Sequence, residues 1–207
     1  MKVLMINGSP NEHGCTFTAL TEIAETLTNE GVDSEIVWLG QGAIMSCTAC
    51  HACHKLGNKC VCDDIVNVVA AKCADVDGFV FGSPVHYAGA TGAITSFLGR
   101  LFFSNAQILK LKPAAAIASC RRSGITSTLE QLNKYITINQ MPLVSSQYWS
   151  GVHGFTPDDV RQDLEGMQIM RTIGRNMAWL LKSIEAGKAA GVTLPEKEGR
   201  VATSFIR

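Results

Sequence analysis

The sequence predicts an α/β domain built around a five-stranded parallel sheet. Short β-rich segments alternate with segments whose apolar residues recur at helical spacing, which is the pattern of parallel strands joined by crossover helices. The chain has 207 residues, 46% of them hydrophobic and 17% charged, which suits a single globular domain. The predicted strands are Val3–Ile6, Ser34–Trp38, Gly78–Phe81, Ala114–Ala118 and Leu143–Tyr148.

Four helices are predicted between these strands, from apolar residues at steps of three and four. The first ends at Gly31, and the second has Asp63 or Asp64 as its N-cap. The apolar positions that define the four helices are, in chain order, Phe17, Leu20, Ile23 and Leu27; Ile65, Val68 and Val69; Ile94, Phe97, Leu98 and Leu101; and Leu129, Leu132 and Ile136.

A last helix and a tail are predicted over residues 156–207. An N-cap, a proline at the first helical position and acids in the first turn mark the start of the helix; these residues are Thr156, Pro157, Asp158 and Asp159. The spacing of its apolar residues predicts that the helix ends near Gly187. The helix is long enough to be interrupted at Gly166 or Gly174. The tail, residues 191–207, is predicted to be extended.

Composition excludes several classes of function. The chain has 18 Lys and Arg against 18 Asp and Glu, spread evenly, so nothing supplies the basic surface that nucleic acid or an anionic membrane requires. The N-terminus has too few consecutive apolar residues for the core of a signal peptide. No later apolar run is close to the length that a membrane-spanning helix needs. We therefore expect a cytoplasmic protein, in which eight cysteines are metal ligands, redox groups or buried fillers rather than disulfides.

The connection after the second predicted strand is exceptional in length and composition. It spans residues 39–62, where about two to six residues would suffice, and insertions of such length usually carry function. Half of the eight cysteines follow one another here in the spacing C-x2-C-x2-C-x6-C; they are Cys47, Cys50, Cys53 and Cys60. Because thiolates at this spacing can reach one small soft-metal centre, the connection indicates electron chemistry.

The turn after the first predicted strand has the composition of a phosphate-binding loop. It is bounded by Gly8 and Gly14, is rich in hydroxyl and amide groups, and leads into a helix N-terminus, where free N–H groups and the helix dipole favour an anion. It is not a Walker A motif, because Cys15 stands in place of the lysine, nor G-x-G-x-x-G, because Pro10 stands in place of the second glycine. One terminal phosphate group is favoured over a nucleoside triphosphate, and a plain turn is the alternative.

Two more loops follow the third and fourth predicted strands, at the edge where open α/β sheets bind ligands. Residues 83–90 combine a rigid Ser-Pro start with the rings of His86 and Tyr87 and then small residues, which suits contact with a flat heterocycle. Residues 119–124 offer backbone donors and two arginines to a carbonyl edge of such a ring. The alternative is that the two rings are ordinary surface aromatics.

These motifs together resemble a known family. The first loop reads NGSPxxxGxT, the third strand is followed by SPVxY, and with the cysteine connection they resemble the NADPH-dependent FMN reductase-like branch of the flavodoxin-like fold. The cysteines specifically resemble those of iron–sulfur flavoproteins. The resemblance covers Met1 to Tyr148. It implies a doubly wound sheet of order 2-1-3-4-5 in one FMN-binding domain over residues 1–207, with 39–62 as an insertion and 156–207 as an extension.

The resemblance implies a role for each loop. The first would hold the FMN phosphate, the second would wrap the isoalloxazine, and the third would approach the ring from the other side, with its arginines or backbone N–H groups stabilising the anionic reduced flavin. The cofactor-binding residues implied are Ser9, Asn11, His13, Gly14, Cys15, Thr16, Pro84, Val85, His86, Tyr87, Ser119, Arg121, Arg122 and Gly124.

The resemblance also implies a [4Fe–4S] cluster bound by Cys47, Cys50, Cys53 and Cys60, and four thiolates are the appropriate ligand set. Cys62 offers an alternative fourth ligand. Three other occupants stay open: zinc with histidine help from position 51 or 54, haem at one of two overlapping C-x-x-C-H motifs, or a metal-free cysteine loop that is redox-active or no longer used.

The predicted function is that of an FMN-dependent oxidoreductase that passes electrons between reduced FMN and the cluster. The expected electron donor is NAD(P)H or a protein. The sequence has no nicotinamide-binding motif that would distinguish NADH from NADPH, and it does not identify the electron acceptor. One alternative is an NAD(P)H-dependent FMN or quinone reductase without a cluster, and another is a non-enzymatic electron carrier. The resemblance further implies a homodimer or homotetramer.

Overall fold

The computed structural model describes residues 1–199 and 201–203 and contains a five-stranded parallel sheet of order β2-β1-β3-β4-β5, as predicted. The strands are β1 (Lys2–Asn7), β2 (Asp33–Trp38), β3 (Gly78–Pro84), β4 (Ala114–Cys120) and β5 (Gly151–His153). The helices are α1 (Cys15–Asn29), α2 (Ile65–Lys72), α3 (Gly92–Leu109), α4 (Ile125–Ile138), α5 (Pro157–Gln162) and α6 (Leu164–Ala189).

Helices cover both faces of the sheet, and each face has its own apolar core. Leu4 and Phe81 belong to the core under α2, α3 and α4, whereas Met5 and Val80 belong to the core under α1 and α6. Neighbouring strand residues point to opposite faces, so a strand buried on both sides reads as a continuous apolar run. This explains the almost unbroken burial of β1, β3 and β4 and confirms the doubly wound architecture.

The fifth strand lies later in the chain than predicted. Leu143 forms only an isolated bridge with Ala114, and the chain then leaves the sheet, so the predicted strand over Leu143–Tyr148 is wrong. The reason is that this segment bonds to α6 instead: Ser146 Oγ donates to the Ile169 carbonyl at 2.9 Å. The chain returns to pair Gly151–His153 with the end of β4.

The last helix breaks at Asp163, between α5 and α6, and not at Gly166 or Gly174 as predicted. Asp163 leaves helical geometry, with ψ at 79°, and its side chain caps α6 by accepting from Gly166 N at 2.9 Å. The two glycines serve close packing: a Cβ at Gly174 would lie 2.8 Å from Thr26 of α1. The helix continues to Ala189, two residues past the predicted end.

The N-caps of α5 and α2 are residues that the sequence predicted. Thr156 and Asp159 form a reciprocal capping box at α5, and Asp64, one of the two predicted candidates, caps α2 through Val66 N at 3.1 Å. Residues 192–199 and 201–203 have no regular secondary structure, and the rest of the predicted extended tail lies outside the described residues. Among the described helices, none combines the length and hydropathy that crossing a membrane would need.

Candidate functional site

The first predicted loop begins where β1, β3 and α3 meet. Gly8 N donates to the Gly82 carbonyl at 2.9 Å, and Thr91 Oγ1, from the N-cap of α3, donates to the Gly8 carbonyl at 2.8 Å. A Cβ at Gly8 would lie 2.7 Å from Ile94 Cβ, closer than packed carbon atoms approach. Only glycine therefore allows the loop to leave the sheet at this point.

Side chains within the loop bond to its own backbone. Asn7 Nδ2 donates to the Glu12 carbonyl at 2.9 Å, and Asn11 N donates to Ser9 Oγ at 3.1 Å. Trp38, at the end of β2, donates through its indole Nε1 to the Ser9 carbonyl at 2.8 Å. These contacts fix the loop before any ligand is bound, which lowers the entropic cost of binding one.

α1 begins at the end of this loop without a side-chain cap. Its N-cap is Gly14, and the first turn contains no acidic residue. The N–H groups of the first turn, those of Cys15, Thr16 and Phe17, have no partner within the helix. They are donors for an anion, and the helix dipole adds to the attraction.

Two hydroxyls lie beneath the loop. Thr16 Oγ1 and Ser119 Oγ are 2.9 Å apart, and both residues are almost fully buried. This hydrogen bond joins the start of α1 to the end of β4, so the first and third predicted loops form one structure. Cys15, also predicted to bind the cofactor, directs its thiol to the Gly154 carbonyl at 3.7 Å. Burial raises the pKa of that thiol.

His13 lies at the outer edge of the loop. It is exposed, and its ring meets that of Phe17 edge-on at 4.8 Å. Asn11 is also exposed, whereas Ser9 is buried. The first-loop residues named in the sequence analysis are thus gathered around one helix start, with Ser9 and Thr16 inside and Asn11 and His13 outside.

The second predicted loop forms a tight turn that displays an aromatic ring. His86 N donates to the Gly89 carbonyl at 2.8 Å, which closes the turn. Tyr87, within it, has φ at 62°, and its side chain is fully exposed. A left-handed conformation costs a bulky residue of order 1–3 kcal/mol, and such strain concentrates at functional sites. The turn therefore directs Tyr87 to the protein surface rather than to the core.

The third predicted loop lies directly against the second. Val85 N donates to the Ser119 carbonyl at 2.7 Å. Gly124 has φ at 96°, and a Cβ there would lie 2.7 Å from Val85 Cγ1. Arg121 and Arg122 are exposed, and neither forms an ion pair with another described residue. Two free guanidinium groups therefore stand beside the Val85–Gly124 contact.

α4 starts at Gly124 and, like α1, lacks a side-chain cap and an acid in its first turn. The other four described helices are all capped by a side chain, from Asp64, Thr91, Thr156 and Asp163. The two helices with free N-terminal donors are thus those that follow the first and third predicted loops. Both loops leave the carboxyl edge of the sheet, so the backbone donors of both helix starts lie at the edge where such sheets bind ligands.

The cysteine connection surrounds a small cavity of about 30 Å³ against α3. Its lining includes the four predicted ligands and a fifth thiol, together with an arginine and a phenylalanine of α3: Cys47, Cys50, Cys53, Cys60, Cys62, Arg100 and Phe103. His51 and His54 stack on each other at 5.7 Å and both contact the Phe103 ring. The backbone is left-handed at Ala49, His51 and Asn58, a concentration of strain of the kind found at functional sites.

The charge in this cavity comes from Arg100, whose side chain is buried and pairs with Asp64. Its Nε also lies 3.4 Å from Cys60 Sγ. Burial opposes ionisation of the Cys60 thiol, but a backbone hydrogen bond from Cys62 and the guanidinium together outweigh it and lower the pKa of Cys60. The cavity thus favours a thiolate at Cys60.

Sequence comparison decides the family. A profile of the NADPH-dependent FMN reductase family matches residues 1–156. The chain belongs to this family. The match ends just before α5.

Individual relatives agree with the family. An iron-sulfur flavoprotein of Methanocaldococcus jannaschii is 28% identical over 193 residues, which are 89% of this chain and all of that protein. An iron-sulfur flavoprotein of Archaeoglobus fulgidus is 37% identical over 100 residues, 48% of each chain. Among solved structures, a flavodoxin from the domain Archaea superposes with a TM-score of 0.60 at 15% identity, covering 88% of this chain and 99% of that one. The fold is flavodoxin-like, and the chain is an FMN-binding oxidoreductase.

The donor atoms around the cysteine cavity bear on which metal centre it could hold. In the described residues, no three His, Cys, Asp or Glu side chains converge closely enough to hold one metal ion. A tetrahedral zinc site would bring thiolates to about 4 Å from one another, since each lies about 2.3 Å from the metal. A [4Fe–4S] cluster takes four thiolates around a larger body. The four cysteines line one cavity, so the residues present match the cluster in the number and type of ligand.

Sequence reasoning missed several residues of these sites. Arg100, Asn67, Trp38 and Thr91 were not predicted to take part, yet each bonds to the first loop or to the cysteine connection. One signal was available for Arg100: it is a charged residue within the apolar stripe of α3, next to Leu101. A cation on a buried helix face needs a specific partner.

Proposed function

We propose that this chain is an NAD(P)H-linked FMN oxidoreductase that exchanges electrons between FMN and a [4Fe–4S] cluster. The observation that carries the proposal is at the carboxyl edge of the sheet, where the uncapped start of α1 is joined by the Thr16–Ser119 hydrogen bond to the end of β4, just before the third loop and the uncapped start of α4. When bound, FMN supplies two-electron chemistry and the cluster one-electron steps.

The first loop would bind the FMN phosphate. The first-turn N–H groups of α1 and the Ser9 hydroxyl are its donors, and the bonds within the loop hold them in place. Asn11 and His13 would contact the phosphate from the solvent side. The first turn of α1 contains no acidic residue, so no negative side chain there would repel the negatively charged phosphate.

The second and third loops would hold the isoalloxazine. Pro84, Val85, His86 and Tyr87 would lie against one side of the ring, and residues 119–124 against the other. The contact between Val85 and Gly124 supports this arrangement, because it sets the distance between the two loops. The exposed guanidinium groups of the third loop would stabilise the negative charge of reduced flavin.

α3 supports the coupling of the two centres. Its N-cap, Thr91, bonds to Gly8 at the phosphate loop, and its Arg100 bonds to Cys60 in the cysteine cavity. Nine residues of helix separate them, which is about 14 Å along the helix axis. One rigid element therefore connects the two sites at a fixed separation.

The test is an absorption spectrum of anaerobically purified protein, with FMN, iron and acid-labile sulfide assayed on the same sample. We expect one FMN and about four irons per chain. Cys60→Ser should lose iron and keep FMN, whereas the matched variant Cys62→Ser should keep both. Iron retained in full by the Cys60 variant would refute the proposed ligand set.

The second candidate is a flavin-only NAD(P)H-dependent FMN or quinone reductase. It is favoured by one observation, the absence of three converging metal ligands among the described side chains. Flavin bands without iron, persisting after anaerobic reconstitution with iron and sulfide, would establish this candidate and remove the cluster from the mechanism.

A further inference from the structure

Arg100 uses its whole hydrogen-bonding capacity on the cysteine connection. A guanidinium has five N–H donors, and the structure gives Arg100 five contacts. Nε donates to Cys60 Sγ at 3.4 Å; Nη1 donates to Asp64 Oδ2 at 2.5 Å and to the Met45 carbonyl at 3.5 Å; Nη2 donates to the Cys62 carbonyl at 2.9 Å and to Asp64 Oδ1 at 3.0 Å. The residue is 2% exposed, so water does not compete for these donors.

These contacts hold the chain on both sides of the four predicted ligands, at Met45 and at residues 60–64, against α3. Met45 lies just before the first cysteine, and the other partners lie at and after the last one. Asn67 of α2 secures the same end, because its side chain accepts from Cys60 N at 2.9 Å and donates to the carbonyls of Cys60 and Cys62 at 3.0 Å each. The middle of the connection, with Cys47 and Cys50 exposed, contributes fewer such bonds.

The charge of Arg100 faces a sulfur atom. A hydrogen bond from a cation to a cluster thiolate stabilises the more negative, reduced cluster and so raises its reduction potential. Asp64 pairs with the same guanidinium and offsets part of its charge. The two residues therefore have opposite effects on the potential, although both belong to one ion pair.

We infer that Arg100 is the positioning residue of the cysteine connection and that its charge sets the potential of the cluster. The second part rests on the proposed function; the first part does not. Asp64 opposes this effect, because its bidentate contact with the guanidinium of Arg100 offsets part of the positive charge.

The first experiment uses the protein without iron and measures amide hydrogen exchange. Arg100→Met should speed exchange in residues 45–64 by about ten-fold or more, since the buried donors that hold both ends are lost. Exchange in β1 and β3 should stay unchanged. Arg175→Met, an exposed arginine on α6, is the matched control and should change nothing in residues 45–64. Unchanged exchange in the Arg100 variant would overturn the positioning role.

The second experiment measures the reduction potential of reconstituted variants by spectroelectrochemistry. Arg100→Met should lower the potential, Arg100→Lys should recover part of the difference, and Asp64→Asn should raise the potential, because Asn still caps α2 but removes the negative charge. A role limited to packing would move the Met and Asn variants in the same direction or not at all, and that result would overturn the electrostatic part.

The two experiments separate this inference from the proposed function. A wild-type chain that takes up no iron on reconstitution contradicts the cluster and, with it, the role of Arg100 in the potential. The exchange measurement still decides the positioning role, because it needs no iron.

Discussion

Thr16 Oγ1 and Ser119 Oγ lie 2.9 Å apart beneath the proposed phosphate site and join α1 to β4. Thr16→Val keeps the shape of the side chain but leaves the buried Ser119 hydroxyl without this partner. We expect the free energy of unfolding to fall by about 1–3 kcal/mol and FMN to bind more weakly, because the start of α1 is no longer fixed. Urea unfolding and flavin fluorescence titration measure the two effects.

The double variant Thr16→Val with Ser119→Ala is the control for this prediction. It removes both hydroxyls, so no polar atom is left unpaired, and its unfolding free energy should lie closer to that of the wild type. If the double variant instead loses as much unfolding free energy as Thr16→Val and Ser119→Ala lose together as single variants, the two hydroxyls do not interact.

Gly124→Ala should weaken FMN binding and destabilise the fold. The new Cβ meets Val85 Cγ1 at 2.7 Å, and φ at 96° is unfavourable for alanine. Gly31→Ala is the matched control, because Gly31 also has positive φ, at 74°, but nothing lies within 4 Å of its Cβ position. The control should lose only about 1–2 kcal/mol of stability from backbone strain and bind FMN normally. Equal FMN affinity in the two variants would argue against the second and third loops as the ring site.

Sequence separation explains why the residues of the first loop and the four cysteines could be recognised from local spacing, whereas Arg100 could not. Gly8, Ser9, Gly14 and Thr16 are close in sequence, so their spacing alone describes the loop. Arg100 contacts Cys60 across 40 positions of sequence. Such a contact depends on how α3 packs against the sheet, which no local pattern records.

The fifth strand shows the same limit within the fold. Both Val144 and Val152 are buried in the core under α6, so two segments carry an apolar signal suited to a strand. The segment at Val144 bonds to β4 only at Ala114, because Ser146 bonds to α6, and the strand forms later, at Gly151–His153. The parallel direction of the other four strands follows from their alternation with helices, whereas their order was implied by the resemblance to the family.

Stability should fall in mild acid because of Glu35. Its carboxylate accepts from Lys2 Nζ and Lys72 Nζ at 2.6 Å each, and these hydrogen bonds lower the pKa of Glu35. A carboxyl with a lowered pKa stabilises the fold at neutral pH and loses that contribution as the pH falls from about 4.5 through its folded pKa. The groups are partly exposed, so the loss should be below about 1 kcal/mol.

Glu35→Gln tests this pH dependence. The difference in unfolding free energy between the variant and the wild type should be largest at pH 7 and should shrink as the pH is lowered through the titration of Glu35. A difference that stays constant with pH would assign the effect to packing instead of to the ion pairs.

Cysteine alkylation under native conditions should divide the thiols by exposure. Cys47 and Cys50 are exposed and should react with iodoacetamide in iron-free protein. Cys73 is buried in the core beneath α2, and burial raises its pKa to about 12, so it should react only after unfolding. Peptide mapping by mass spectrometry measures the extent of labelling at each cysteine. Labelling of Cys73 at the rate of Cys47 would contradict the described packing of α2.

An anaerobic reductive titration of the reconstituted protein tests the two-centre proposal most directly. FMN accepts two electrons and a [4Fe–4S] cluster accepts one, so we predict about three electron equivalents per chain, with bleaching of the broad iron–sulfur absorption as well as of the flavin bands. Reduction complete at about two equivalents, with loss of the flavin bands alone, would contradict the account and leave a flavin-only reductase.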